Sequence, residues 1–312
     1  MHMAEQKHLS NPALRGRLLY HEPMRRHITW RTGGAADRAY APADLDDAAQ
    51  FLGSLPAAEP VYFIGLGSNL LVRDGGIRGT VILTHSSHAV MHMDGELVYA
   101  EARAASPKLA RYAAIHGYAG AEFLAGIPGT LGGALAMNAG CYGSETWDAV
   151  ERVLMLRRSG ELCVRKPADF DVAYRHVALR GGELGVDEWF AAAWFGFKRG
   201  AGESARRRIR QLLQQRIAAQ PLALPNAGSV FRNPPGDHAA RLIEACGLKG
   251  YAIGGARVSE KHANFIVNAA GRSSAADIEN LIEHVRQTVL ARHGVDLIAE
   301  VRIIGEKIGD RT

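Results

Sequence analysis

Apolar and polar positions follow two regimes along this chain. Before residue 200 short apolar runs bounded by glycine and turn residues dominate. Val61–Ile64 reads as a buried strand that stops at Gly65-Leu66-Gly67. Thr80–Leu83 reads as a second, with no room for a crossover helix between them. Two helical segments interrupt the strands. Asp44 can cap Leu45–Leu52, and Ser106-Pro107 opens a helix that ends at Gly117. After residue 200 the helical period lengthens. Gly202–Ala219 places Ile209, Leu212, Leu213 and Ile217 on one face and ends at Pro221. Asp237–Cys246 stops at Gly247, and Ser274–His293 carries Ile278, Leu281, Ile282, Val285 and Val289 before Gly294. Asn264–Val267 and Leu297–Ile304 read as strands. In the latter, Glu300 and Arg302 alternate with apolar neighbours and so share one strand face. The pattern predicts an α+β fold with a boundary near residue 200.

Size and composition narrow this picture without changing it. The 312 residues, 47% hydrophobic and 22% charged, suffice for two or three domains of a soluble globular protein. No apolar run reaches the length of a membrane span, and MHMAEQKHLSNPALRGR lacks an apolar leader core, so no membrane partner is expected. Cys141, Cys163 and Cys246 are odd in number and far apart, which argues for reduced thiols in the cytoplasm. The net charge of +5 is densest at Arg206–Arg210 on a helical stretch without aromatics, a solvated face and not a nucleic-acid surface. His85, His88 and His92 have no carboxylate or cysteine at ligand spacing, so no metal site is expected.

Four stretches could carry chemistry. "GLGSN", Gly65–Asn69, follows a strand as a dinucleotide fingerprint would, but Leu70 replaces the third small residue and turn chemistry replaces the helix. What remains is either an ordinary turn or a concavity of backbone N–H groups able to hold an anion. "AGIPGTLGGALAMNAGCYG", Ala125–Gly143, is rich in glycine and small residues, which suits either close packing or a large flat ligand against bare backbone. "PNAGSVFRNP", Pro225–Pro234, sets Ser229 in a loop bounded by prolines. Phe231 excludes a hydrolase elbow, leaving a turn serine or a proton donor. "DVAYRHVAL", Asp171–Leu179, sets ionisable groups among apolar ones.

Taken together these motifs resemble the UDP-N-acetylenolpyruvoylglucosamine reductases. The resemblance runs from "TWRTGGAA" at Thr29 to "AEVRIIG" at Ala299–Gly305, and includes "GLGSNLLV", "AGSVFRNP", "LIEACGLKG" and "GGARVSEKHANFIVN". It implies an FAD-binding module of the vanillyl-alcohol-oxidase type over residues 1–200, in subdomains of about 20–72 and 73–200, then a smaller α+β substrate domain over 201–312. It implies noncovalent FAD, NADPH as hydride donor and a UDP-sugar as substrate, in peptidoglycan precursor synthesis. Gly65, Gly67, Ser68 and Asn69 would wrap the pyrophosphate. Gly126, Ile127, Pro128, Gly129, Thr130, Gly133, Asn138, Ala139 and Gly140 would lie along the rest of the cofactor. Ser229 would donate a proton, Arg175 and Glu300 would polarise the substrate carboxylate, and Tyr174, Arg232, Asn233 and His262 would touch substrate. The short interval from Arg175 to Ser229 leaves no room for the inserted closing loop of the family's first subtype, so the chain resembles the second. Two other readings share the cofactor motifs: a flavin oxidase, and a catalytically silent nucleotide-binding protein.

Overall fold

The structure is a computed structural model that describes residues 14–200 and 202–310; most of the segment read as lacking a leader lies outside the described residues. The chain divides into two compact units. The first comprises the chain up to Tyr20, Arg38–Leu66 and Gly79–Gln215; the second comprises His21–Asp37, Gly67–Arg78 and Arg216 onward. Among the described residues no helix is long and apolar enough to cross a membrane.

The first unit is built on an antiparallel five-stranded sheet, ordered Leu162–Arg165, Val150–Arg157, Glu188–Gly196, Leu97–Glu101, Met91–Asp94. Helix α1, Leu45–Gly53, begins where Asp44 accepts a hydrogen bond from the Asp47 N–H, as its sequence predicts. Helices α2, Ser106–Ile115, and α3, Leu131–Ala136, contribute Leu109, Ala113, Leu131 and Leu135 to one core with Val98, Val153 and Phe195 of the sheet. Val61–Ile64 pairs with Thr80–Leu83 in parallel. The connection is not helical; it carries the Gly65–Asn69 turn and the short strand Leu70–Val72.

Helix α4, Gly202–Ala219, corrects two expectations. Its buried positions are Ala205, Ile209 and Leu212, whereas Ile217 is 62% exposed. Ala205 and Ile209 belong to the core of the first unit, so most of α4 goes with that unit and the compact division falls within the helix, after Gln215. Arg206, Arg207, Arg208 and Arg210 are exposed around the buried Ile209, a solvated face.

The second unit packs α5, Ala239–Ala245, and α6, Ala275–His293, with a three-stranded sheet, Ala252–Ile253, Ala256–Val258 and Ile266–Asn268. Two early segments join it through specific bonds. Trp30 Nε1 donates to the Ile266 carbonyl at 2.8 Å, and Thr32 Oγ1 to that of Ser273 at 2.6 Å. Asp74 accepts from the N–H groups of Ala275 and Ala276, both at 2.9 Å, and so satisfies the first turn of α6. Leu70–Val72 lies parallel to Arg302–Ile304. The predicted strand Leu297–Ile304 is therefore shortened. Its partner begins only at Leu70, the chain bends at Val301, and the alternation that put Glu300 and Arg302 on one face does not run through.

Helix α6 has the best-defined ends. The Ser274 hydroxyl accepts from the Asp277 N–H at 3.0 Å while the Asp277 carboxylate accepts from the Ser274 N–H at 3.0 Å, and Gly294 closes the helix at φ +68°. Burial pushes the Asp277 carboxyl up, but the N–H groups of Ser274 and Gly255 outweigh it and hold the group below its ordinary value. We predict that Ser274→Ala costs about 1 kcal/mol of stability, read from urea unfolding. A depressed folded carboxyl stabilises above its unfolded value, near 4, and loses that effect as pH falls through the folded one. The unfolding midpoints of wild type and Asp277→Asn should thus differ at neutral pH and converge in acid; a constant gap would show that the charge of Asp277 contributes nothing.

Candidate active site

In the first unit the glycine turn and the glycine-rich stretch come together. A Cβ on Gly65 would lie 2.3 Å from Thr130 Oγ1, so the turn rests directly on the stretch it was paired with by sequence. The stretch opens with a tight turn, Glu122–Gly126, in which Gly126 and Ile127 are buried. Gly129 has φ +123°, and Thr130 caps α3 by accepting from the Gly133 N–H. Pro128 and Gly133 are exposed. A Cβ on Gly133 would meet nothing nearer than Thr130 Oγ1 at 3.8 Å, so the protein itself does not require glycine there. Bare backbone with open space above it fits a flat cofactor such as FAD. Gly65, Gly126–Thr130 and Gly133 are the residues of this unit that could hold it.

Asn138, Ala139 and Gly140 have a different character. The Asn138 side chain is buried and fully used: Nδ2 donates to Glu145 Oε2 at 2.7 Å and to the Ala173 carbonyl at 3.2 Å, and Oδ1 accepts from the Trp147 N–H at 3.1 Å. The Ala139 carbonyl accepts from the N–H and hydroxyl of Thr146. Gly140–Cys141 and Ser144–Glu145 form a hairpin whose two central residues, Tyr142 and Gly143, have φ of +56° and +84°, the type I′ geometry.

Asp171–Leu179 is a second hairpin, Phe170–Ala173 with His176–Leu179, and Tyr174-Arg175 is its two-residue tip. Arg175 has φ +54°, a left-handed conformation that a side chain adopts at a cost of about 1–3 kcal/mol. Its guanidinium donates to the carbonyls of Asn138 at 3.2 Å and Gly140 at 2.8 Å, and lies 4.8 Å from the Tyr174 ring centroid. A cation is thus brought to the cofactor stretch by a strained turn.

In the second unit Ser229, Glu300 and Asn69 come together. Ser229 is half-buried after Gly228, which has φ +76°. The following residue, Val230, donates to the Asn264 carbonyl at 2.9 Å and accepts from the Glu300 N–H at 2.7 Å. Asn69 Nδ2 donates to the Glu300 carbonyl at 3.1 Å, and the Asn69 carbonyl accepts from the Arg302 N–H at 3.0 Å. Gly67 is buried with φ +60°, and a Cβ there would lie 2.3 Å from the His27 carbonyl. Its first requirement is therefore the protein's own packing and not a phosphate. Ser68 sits half-buried between Gly67 and Asn69 in the same turn. Arg232 Nε is a buried donor with no protein partner, which suits an anionic ligand. Asn233 Oδ1 accepts from the Ala239 N–H at 3.1 Å and caps α5. His262 has its pKa lowered by burial; its Nδ1 accepts from the Asn264 N–H at 3.3 Å, which leaves the proton of the neutral ring on Nε2.

The family model of an FAD binding domain matches residues 36–164, and that of the UDP-N-acetylenolpyruvoylglucosamine reductase C-terminal domain matches residues 220–304. The UDP-N-acetylenolpyruvoylglucosamine reductase of Thiobacillus denitrificans is 58% identical over 310 residues, covering 95% of this chain and 94% of that protein. That of Legionella pneumophila strain Corby is 51% identical over 93% of each chain. A crystal structure of UDP-N-acetylenolpyruvylglucosamine reductase (MurB) from Thermus caldophilus matches with a TM-score of 0.77 at 30% identity, covering 93% of this chain and 99% of that one. This chain belongs to the UDP-N-acetylenolpyruvoylglucosamine reductase family.

Among the described residues, the interval from Arg175 to Ser229 in this reductase is occupied by the return strand of the hairpin, Glu188–Gly196, α4 and the loop to Ser229. Glu145, outside the sequence motifs, bonds Asn138 and lies 3.7 Å from Arg175 Nη1. The signal was present in Tyr142-Gly143, a hairpin turn that pairs Gly140 with Glu145.

Glycine in a helix interior costs about 1 kcal/mol relative to alanine. We therefore predict that Gly133→Ala leaves the cofactor-free reductase as stable as wild type or more so, yet weakens FAD retention, and that Gly133→Leu abolishes retention. Flavin absorbance after gel filtration, beside thermal unfolding of the stripped protein, checks both. Full occupancy in the leucine variant would place the cofactor away from α3.

Proposed function

We propose that this chain reduces the enolpyruvyl group of UDP-N-acetylglucosamine enolpyruvate to the lactyl ether of UDP-N-acetylmuramate, with NADPH, in peptidoglycan precursor synthesis. Membership of the reductase family over nearly the whole chain supports the reaction. The observation that carries it to residues is the bond from the Glu300 N–H to the Val230 carbonyl, which ties the proposed proton donor's loop to the proposed carboxylate-orienting residue.

FAD, when bound, supplies two-electron redox chemistry between NADPH and the substrate double bond. The rest falls to side chains. Reduction places negative charge next to the substrate carboxylate, charge that water would otherwise solvate. Arg175, already oriented by two carbonyls, replaces that solvation in advance. Ser229 gives its hydroxyl proton to the adjacent carbon, completing the lactyl ether. Glu300, held through its own N–H and carbonyl, orients the carboxylate or a water. Arg232, with its buried unpartnered Nε, suits the negative charge of the sugar nucleotide. Tyr174, Asn233 and His262 complete the contacts to substrate. The three scattered thiols, Cys141, Cys163 and Cys246, accord with a reducing compartment, and we assign the enzyme to the cytoplasm, with no nucleic-acid or membrane partner.

Ser229→Ala should accept hydride from NADPH at the normal rate but reoxidise with the enolpyruvyl sugar nucleotide about 10²–10⁴-fold more slowly. Anaerobic stopped-flow of the two half-reactions measures this; equal slowing of both would give Ser229 a structural role. A carboxylate beside an anion repels it unless it is protonated or paired. We predict that Glu300→Gln keeps partial activity, since an amide still donates a hydrogen bond, while Glu300→Ala loses far more. If the glutamine variant reoxidises as poorly as the alanine one, Glu300 acts through its charge or its proton.

A further inference from the structure

Arg175 occupies a backbone conformation that disfavours it, so something must hold it there. Its guanidinium donates to two carbonyls, those of Asn138 and Gly140. One residue controls both. Glu145 accepts from Asn138 Nδ2 through Oε2 at 2.7 Å, and its backbone is the cross-strand partner of Gly140. A Cβ on Gly140 would come within 3.0 Å of Glu145 Cγ, so the two residues are in direct packing contact. The second carboxylate oxygen lies 3.7 Å from Arg175 Nη1, near enough for attraction but too far for a hydrogen bond. The carboxylate thus spends its strong hydrogen bond on the scaffold and not on the cation. Asp148 in turn accepts from the Glu145 N–H at 2.8 Å, which fixes the start of the following turn.

We propose that Glu145 is a positioning residue for Arg175. Resting on the reading that Arg175 stabilises the substrate's developing charge, the proposal is that Glu145 holds the carbonyls of Asn138 and Gly140 where they aim the guanidinium. It acts by geometry, through a bond that a neutral amide oxygen can also accept. A displacement of about 1 Å at an oriented catalytic group is worth about 10²-fold in rate.

Four variants test this in the FAD-loaded protein: Glu145→Gln, Glu145→Ala, Arg175→Ala and the double variant Glu145→Ala/Arg175→Ala. FAD content, thermal unfolding, calorimetric Kd for UDP-N-acetylmuramate and the two anaerobic half-reactions are measured for each. Glu145→Gln should stay within about 3-fold of wild type in flavin reoxidation, a rescue that the alanine variant lacks; Glu145→Ala should lose about 10²-fold while retaining FAD and reduction by NADPH. In the Arg175→Ala background Glu145→Ala should cost nothing further, because its route to the reaction is gone. Product affinity should weaken in Glu145→Ala and in Arg175→Ala, and no further in the double variant. A loss in Glu145→Ala that persists undiminished beside Arg175→Ala overturns the proposal and leaves the role of Arg175 standing. Equal losses in the glutamine and alanine variants overturn the geometric account. Arg175→Ala with unchanged reoxidation and product binding overturns the reading of Arg175, and the proposal with it.

Discussion

A single buried amide ties together two hairpins of the first unit. Asn138 is 2% exposed and uses both ends of its side chain, donating to the second strand of one hairpin and to the end of a strand in the other, and accepting from the turn that follows. Its own carbonyl then holds the guanidinium at the tip of the second hairpin. Inside a protein an unsatisfied amide is costly and a satisfied one is rigid, because the low dielectric strengthens every bond it makes. The two hairpins and the Arg175 side chain are thus fixed relative to one another by hydrogen bonds that tolerate little variation in length or angle. The Asn138 side chain thus belongs to the scaffold.

The second unit solves the same problem with another asparagine. Asn264 is 4% exposed; Oδ1 accepts from the Phe231 N–H at 2.9 Å and Nδ2 donates to the Phe231 carbonyl at 2.8 Å, so one side chain imitates a neighbouring strand. Its main-chain carbonyl accepts from Val230 as well. The loop that carries Ser229 has no regular secondary structure, yet the backbone N–H and carbonyl groups of the two residues that follow it, Val230 and Phe231, are all paired. Loop placement of a reactive hydroxyl and rigidity of that hydroxyl's backbone are therefore compatible.

What could be read from the sequence was mostly local. Asp44, Ser274 and Gly294 announced helix ends because the bonds they make span only a few residues. The pairing of the Gly65 turn with the Ala125–Gly143 stretch was legible for another reason: glycine at both sites left few uses for either. Features set by distant partners were illegible. The strand at Leu297 shortened because its neighbour starts at Leu70, over two hundred residues away, and α4 buries only part of its apolar face, Ile217 lying largely exposed. The parallel pairing of Val61–Ile64 with Thr80–Leu83 was hidden because the intervening strand hydrogen-bonds elsewhere. Asn138 and Asn264 looked like motif letters; their roles as backbone clamps depend on neighbours that periodicity cannot place.

The left-handed turn at Arg175 sets the chain's stability against its use. At φ +54° a glycine would sit without steric cost, and an asparagine at little. Random drift under selection for heat resistance alone would therefore favour exchanging the arginine for a smaller residue, since most proteins lie below their attainable stability and give it up at working sites. An arginine at a position whose backbone favours glycine points to a demand made by something other than folding. Consensus or computational stabilisation of this protein would do well to leave that one turn unrepaired.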